Sequence, residues 1–105
     1  ITSNYSIEVT DGLILADCTS GNITVDLTYA FTSLALQDVT YAYLGTSYTN
    51  TFSKIVTIKK KDSSANTVTI DAAGANTIDG VATKVISTQY DKLTIQWDGT
   101  NWHIR

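Results

Sequence analysis

The stretch "TIQWDGTNWHI", residues 94–104, contains both tryptophans of the chain, one on each side of an Asp-Gly turn signal. A two-residue loop that begins at Gly99, the residue after Asp98, places Trp97 opposite Trp102 in a β-hairpin, and glycine suits the first loop position of a type II′ turn. Burying two indoles removes a large apolar area from water. The hairpin is therefore predicted to anchor a terminus that would otherwise fray.

Apolar and polar residues alternate along most of the chain, as expected of strands with one buried and one solvated face. The alternating apolar positions are Ile7 and Val9; Leu13 and Leu15; Ile23, Val25 and Leu27; Val39, Tyr41 and Tyr43; Val56 and Ile58; Val68 and Ile70; Leu93, Ile95 and Trp97. Turn signals separate these runs at intervals of roughly 8 to 12 residues. The pattern predicts about eight to ten strands and no helix, in an all-β antiparallel sandwich or a jelly-roll-like barrel.

Length, charge and composition narrow the class of protein. The 105 residues fit one domain, 1–105, whose small size makes association with further subunits favourable. A net charge of −3 argues against a nucleic-acid partner, and no apolar run approaches the ~20 residues that insert into a membrane.

The cluster Lys59–Lys61 must direct at least one cation inward or to an edge, and lysine on an edge strand blocks unwanted strand addition. Cys18 is the only cysteine and is expected to be a small buried apolar group.

Two segments of the chain resemble each other. "SGNITVDL" at residues 20–27 and "SANTVTIDA" at residues 64–72 are both polar turns that lead into an alternating strand containing aspartate. Either an internal duplication or ordinary β-hairpin chemistry accounts for the similarity.

Three longer stretches resemble a module that recurs in the tail fibres, head fibres and related structural proteins of bacteriophages. They are "DGLILADCTSGNITVDL" at residues 11–27, "VTIKKKDSSANTVTIDAAGANTIDG" at residues 56–80 and "ISTQYDKLTIQWDGTNWHIR" at residues 86–105. The resemblance implies a homotrimer on the surface of the phage particle, outside the cell, near the host-facing tip. Because the chain begins at Ile1 without methionine, we expect the C-terminal part of a longer fibre protein.

Residues 28–54 depart from that module, which has a short proline-bearing link at this place. This aromatic-rich insert contains six of the ten aromatic residues. Sugar recognition stacks an aromatic ring on a pyranose while polar side chains bond its hydroxyl groups, and tyrosine gives a large contact area at low entropic cost. Candidate ligand-binding residues are Tyr41, Tyr43, Tyr48 and Asn50, for a bacterial surface glycan or protein receptor. For Tyr41 and Tyr43, a core or subunit-interface role is the alternative.

The inventory of reactive groups favours a non-enzymatic protein. His103 is the only imidazole, and the hairpin register assigns it to the polar face opposite Gln96. A nucleophilic pair of Cys18 and His103 has no support in the sequence. No zinc or calcium motif is present, so no metal or cofactor is predicted, although a cation held by aspartates between subunits remains open. Two other functions stay open as well: a purely structural capsid decoration module and a monomeric carbohydrate-binding module.

Overall fold

The computed structural model describes residues 1–8, 11–27, 38–43, 46–51, 55–98 and 100–105. For 38–43 and 46–51, the backbone and its pairing are described. These residues form ten β-strands and no helix, as the alternation predicts. The strands are β1 (Tyr5–Ser6), β2 (Leu13–Ala16), β3 (Ile23–Asp26), β4 (Asp38–Tyr43), β5 (Thr46–Thr51), β6 (Ile55–Lys60), β7 (Val68–Asp71), β8 (Thr83–Ile86), β9 (Lys92–Trp97) and β10 (Trp102–Ile104).

Eight of these strands form two mixed sheets. Sheet 1 has the order β1-β3-β7-β8 and sheet 2 the order β10-β9-β6-β2, while β4 and β5 pair with each other. Three pairings, β1 with β3, β2 with β6 and β3 with β7, are parallel. The prediction of an antiparallel fold is wrong for these three. The chain crosses from sheet 2 to sheet 1 after β2 and returns to sheet 2 for β6. Strand β6 therefore lies beside β2, and β7 beside β3, each in the same direction as the earlier strand.

The two similar segments lie side by side on adjacent parallel strands. In the pairing of β3 with β7, Ile23 lies opposite Val68 and Asp26 lies opposite Asp71. Side-chain amides join the successive passages, since Asn4 Oδ1 accepts a hydrogen bond from Thr24 N and Asn22 Oδ1 accepts one from Thr67 N, each at 2.9 Å. The two similar segments therefore supply neighbouring parallel strands. The origin of their similarity, in internal duplication or in ordinary β-hairpin chemistry, stays a prediction.

One apolar cluster contains the buried residues of both sheets. Its members are Ile7, Ile14, Ala16, Cys18, Ile23, Val25, Leu27, Val56, Ile58, Val68, Ile70, Ala72, Ile78, Ile86, Ile95, Trp97 and Trp102. Strand β2 departs from the expected alternation. Leu13 and Leu15 are exposed, whereas Ile14 and Ala16 are buried. All four residues of β2 are apolar, so the sequence alone does not decide which side chains of β2 point to the core. The pairing with β6 decides it, because Ile14 lies opposite the buried Ile58.

Candidate functional site

The predicted ligand-binding residues lie on the β4–β5 ladder. Tyr41 lies opposite Tyr48, Val39 opposite Asn50 and Tyr43 opposite Thr46. Opposed residues in an antiparallel pair share a face, as do residues two apart on one strand. The register therefore places Tyr41, Tyr43, Tyr48 and Asn50 on the same face of the ladder. Their side chains lie outside the described residues, so ligand contact and a subunit-interface role both stay predictions.

The terminal hairpin has the predicted register. Trp97 lies opposite Trp102, and Gln96 lies opposite His103. Both indoles are fully buried, with ring centroids 5.3 Å apart and planes inclined by 57°, a geometry typical of favourable aromatic pairs. Gly99 lies outside the described residues, so the type II′ turn stays a prediction.

The hairpin is also paired on its second side, which the sequence analysis missed. Trp102 N donates to Thr77 O at 2.9 Å, and Asp79 N donates to Trp102 O at 3.0 Å. The Asp79-Gly80 dipeptide is a turn signal in the sequence, but the neighbouring Ile78 also forms a parallel bridge with Trp102, which extends sheet 2 beyond β10. Because β10 has backbone partners on both sides, the final residues are held more firmly than a free edge strand.

Asp98 organises the polar side of the hairpin. Its Oδ1 accepts hydrogen bonds from Thr100 N and Asn101 N, both at 2.7 Å, and its Oδ2 lies 2.6 Å from His103 Nε2. The hydrogen bonds from Asn101, His103 and Thr100 lower the pKa of Asp98 to about 2. The His103 side chain is 55% exposed, and its Nδ1 lies 3.6 Å from Asp79 Oδ1. His103 is thus an exposed hydrogen-bonding residue, as its predicted position opposite Gln96 suggested.

This network predicts a specific acid sensitivity. Since folding lowers the pKa of Asp98 from 3.8 to about 2, its stabilising contribution is present above about pH 4 and is lost as the pH falls towards 2. Asp98→Asn is expected to reduce stability at pH 7 by less than about 1 kcal/mol, since the Asp98 and His103 side chains are both about half exposed. The difference between wild type and variant should shrink between pH 4 and pH 2 in urea unfolding curves. A difference that stays constant across this range would contradict the assignment.

A second polar cluster, the Lys60–Asp62 cluster, lies at the turn after β6. The Lys60 side chain is fully buried, and its Nζ donates to Asp62 O at 2.8 Å, to Asp62 Oδ2 at 3.0 Å and to Ser64 O at 3.0 Å. The prediction that one lysine of the cluster turns inward is confirmed. The edge-strand explanation is wrong, because β6 lies between β9 and β2 and Lys60 faces the small side chain of Ala16 across the ladder.

Asp62 links this turn to the segment that follows β2. Its Oδ1 accepts a hydrogen bond from Cys18 N at 2.8 Å, and its Oδ2 accepts bonds from Ser64 N and Ser64 Oγ. Burial alone raises the pKa of such a carboxyl, but the hydrogen bonds from Ser64, Cys18 and Lys60 outweigh it and hold the pKa of Asp62 below its usual range. The cluster is structural: every charge in it is satisfied locally.

Cys18 and His103 have different partners. Burial, with the nearby charge of Asp62, raises the pKa of the Cys18 thiol, which disfavours the nucleophilic thiolate. The backbone of Cys18 forms hydrogen bonds with Asp62, Ser64 and Asn66, whereas His103 lies against Asp79 and Asp98.

In the described part of the chain, no group of three or more His, Cys, Asp or Glu residues could hold a metal ion. No helix long and apolar enough to cross a bilayer is found in the same part.

Two open grooves flank Tyr5 at the edges of the sheets. One of about 230 Å³ is lined by Asn4, Tyr5, Ser6, Thr24 and Asp26, and the other, of about 320 Å³, by Ile1, Tyr5, Asp11, Leu13, Ile14 and Leu15. The Tyr5 hydroxyl donates to Asp11 Oδ2 at 2.7 Å, and this bond raises the pKa of Tyr5 to about 12. Tyr5 is therefore a fixed neutral phenol between the grooves. Sequence patterns gave no signal for this arrangement, because it depends on which strands form the sheet edges.

Comparison with known proteins gives no relative. The chain matches no protein-family model, no curated protein and no solved structure.

Proposed function

We propose that this chain is a non-enzymatic module of a bacteriophage fibre, assembled as a homotrimer on the virion surface and serving attachment to the bacterial host. The observation that carries the proposal is the division of the chain into two parts. The stretches that resemble phage fibre modules supply most of the two mixed sheets, and residues 28–54, which depart from those modules, supply the separate β4–β5 ladder. A common scaffold with an individual insert is the arrangement expected when receptors differ between hosts.

We infer that the two sheets pack face to face as a β-sandwich. The support is the single apolar cluster to which both sheets contribute, including Val25 and Ile70 from sheet 1 and Ile58 and Ile95 from sheet 2. Such a body is a rigid platform. Its buried polar groups, Lys60 and Asp62, satisfy each other and neighbouring backbone groups, so they offer no free acid, base or nucleophile for catalysis.

The mechanism of attachment is multivalent. Three copies of the β4–β5 ladder displayed on one trimer bind a repetitive surface with an avidity above the affinity of each site, since later contacts form at high effective concentration. The shared face of Tyr41, Tyr43, Tyr48 and Asn50 gives the contact surface, with aromatic rings for stacking and an amide for hydroxyl groups. The partner is a bacterial surface glycan or a surface protein.

Two alternative functions predict different properties of the protein. A capsid decoration module binds no glycan and buries its aromatic insert between subunits. A carbohydrate-binding module is monomeric, and in that case the open polar groove beside Tyr5, lined also by Asn4, Ser6 and Thr24, is a second place for a sugar.

The attachment proposal is tested by changing one face of the ladder. Tyr48→Ala is expected to weaken adsorption to a panel of bacterial cells and purified surface polysaccharides by at least about tenfold, a loss of about 1.4 kcal/mol. Thr49→Ala is the control, because Thr49 pairs with Thr40 and lies on the opposite face of the same ladder. If both variants adsorb as well as the wild type to a surface that the wild type binds, the tyrosine face is not the contact.

A further inference from the structure

Tyr90 holds a backbone conformation that tyrosine rarely adopts. Its φ is +69°, and it is the third residue of a turn that Asp91 N closes by donating to Thr88 O at 3.1 Å. A positive φ at this position is characteristic of type II turns, which favour glycine or asparagine there. For a bulky residue such a conformation is strained.

The ladder beside the turn makes the same demand on this residue. Tyr90 and Asp91 together lie opposite Lys60, since Tyr90 N donates to Lys60 O at 2.7 Å and Lys60 N donates to Asp91 O at 3.0 Å. Two residues opposite one form a β-bulge, and in the G1 type the first of the two is a glycine in the left-handed region. The turn and the bulge therefore both favour glycine where the chain has Tyr90.

Packing of the side chain does not explain the tyrosine. Tyr90 is 63% exposed, which makes it the most exposed large apolar side chain among the described residues. The Lys59 ammonium lies 5.6 Å from the centroid of its ring, and this contact is at the surface. An exposed side chain of this kind adds little to the stability of a fold. Strained residues without a folding role are concentrated at binding sites, so Tyr90 is a candidate contact residue.

Lys59 connects Tyr90 with a second cation. Lys59 of β6 lies directly opposite Lys92 of β9, and like charges placed in this way destabilise a sheet. In the described part of the chain, neither lysine forms a salt bridge. An anion bound by both lysines would remove the repulsion. The three side chains Tyr90, Lys59 and Lys92 are called the Tyr90 platform below.

Two carboxylates, Asp17 and Asp91, lie near the Tyr90 platform. Asp17 Oδ1 accepts hydrogen bonds from Thr19 N at 3.0 Å and from Thr19 Oγ1 at 2.6 Å. Asp91 is the residue before Lys92, so alternation along the ladder directs these two side chains to opposite sides. The lysine pair therefore keeps its charge.

The acidic groups around His103 lie at the other end of the same sheet. The ladders place His103 in the row of Ile55, four residues before Lys59 on β6. At about 3.3 Å per residue this is a separation of about 13 Å, more than the screening length of about 8 Å at physiological salt. Asp79 and Asp98, which lie against His103, thus leave the charge of the platform in place.

We propose that the Tyr90 platform binds an acidic sugar of a bacterial surface polysaccharide. The apolar face of a pyranose ring stacks on Tyr90, and a carboxylate or phosphate on that sugar accepts charge-assisted hydrogen bonds from Lys59 and Lys92. The turn fixes the aromatic ring before the sugar arrives, so less freedom is lost on binding. This inference rests on the proposed attachment function. It names the chemical class of the receptor and adds a contact on sheet 2 to the β4–β5 ladder.

Isothermal titration calorimetry with defined polymers tests the ligand class. Alginate and hyaluronan carry carboxylates on their sugars, and a phosphorylated mannan carries phosphates, so these probes distinguish the two acidic groups. Dextran has sugar rings without charge, and polyglutamate has charge without sugar rings. Wild type is expected to bind at least one acidic polysaccharide at least about tenfold more tightly than either dextran or polyglutamate. Added salt should weaken this binding, because it screens the lysines.

Substitutions locate the binding on the platform. Tyr90→Ala and Lys92→Gln are each expected to weaken the binding of the acidic polysaccharide at least about fivefold. Lys84→Gln is the matched control, because it removes the same charge from β8 of sheet 1 and should leave the binding unchanged. Circular dichroism verifies that each variant is folded.

Tyr90→Gly separates binding from folding. Glycine adopts the φ of +69° without strain, and the substitution also removes the ring. The variant is therefore expected to lose the binding while its urea unfolding midpoint is at least that of the wild type. A midpoint clearly below that of the wild type would show that Tyr90 serves the fold, and would overturn the inference.

The other outcomes distinguish this inference from the proposed function. Binding to none of the acidic polysaccharides overturns the inference, while adsorption to cells that depends on Tyr48 would keep the attachment function. Equal binding of dextran or of polyglutamate also overturns it, because the sugar must supply both the ring and the charge. Binding that is weakened by Tyr48→Ala but not by Tyr90→Ala assigns the polysaccharide to the β4–β5 ladder and removes the Tyr90 platform.

Discussion

Replacing Trp102 with alanine is expected to lower the free energy of unfolding by about 3 to 5 kcal/mol, the usual range for removing a large buried aromatic side chain. Trp102 is fully buried, and its ring lies 5.3 Å from that of Trp97. The loss of the indole also loosens β10, which is held between β9 and the backbone of Thr77 and Asp79. A domain of this size has a total stability of about 5 to 15 kcal/mol, so the variant should be close to unfolding.

Urea denaturation followed by circular dichroism measures this effect. Tyr90→Ala is the control, because Tyr90 is 63% exposed and an exposed substitution should change the stability by no more than about 0.5 kcal/mol. Trp102→Phe should show a smaller loss than Trp102→Ala, since a ring remains against Trp97. A loss below about 1 kcal/mol for Trp102→Ala would show that the paired indoles do not hold the terminus.

Replacing Lys60 with methionine is expected to cost about 3 to 5 kcal/mol, the range for removing one partner of a buried ion pair. Methionine has a similar length, so the packing against Ala16 is largely kept while the charge is lost. The carbonyl oxygens of Asp62 and Ser64 lose a donor, and the Asp62 carboxylate stays buried without its cation. The destabilisation therefore comes from unpaired polar groups rather than from a cavity.

Lys61→Met is the matched control, since Lys61 is the next residue and its side chain is exposed. The pH dependence gives an independent check. Folding lowers the pKa of Asp62 from its usual 3.8, so its contribution is present above that pH and is lost on acidification. Wild type should lose its advantage over Lys60→Met in acid, as the carboxyl becomes protonated. Equal stability of the Lys60 and Lys61 variants at pH 7 would rule out the ion pair as a major contribution.

The terminal hairpin could be predicted because all of its information is local. Trp97 and Trp102 are close in the sequence, and a two-residue loop leaves few choices of register. Other predictions failed where the decision depends on distant residues. In β2, all four residues are apolar, so the sequence does not show which of them face the core. The pairing with β6 decides that Leu13 and Leu15 are exposed. The partners of Lys60 are near in sequence, but its burial depends on β2 and β9 on either side.

The amino-acid sequence by itself determined that this protein is built from strands, where most of their turns fall and how its end is closed, because alternation and turn chemistry act between residues that are near neighbours in the chain. The tertiary structure alone decided that β3 lies parallel to β7 and that Lys60 is buried on the central strand β6. Alternation states which side of a strand is buried. The alternation does not determine which strand lies beside a given strand, or whether the two run parallel or antiparallel. Neighbouring strands are joined by backbone hydrogen bonds, and these hardly depend on the side chains.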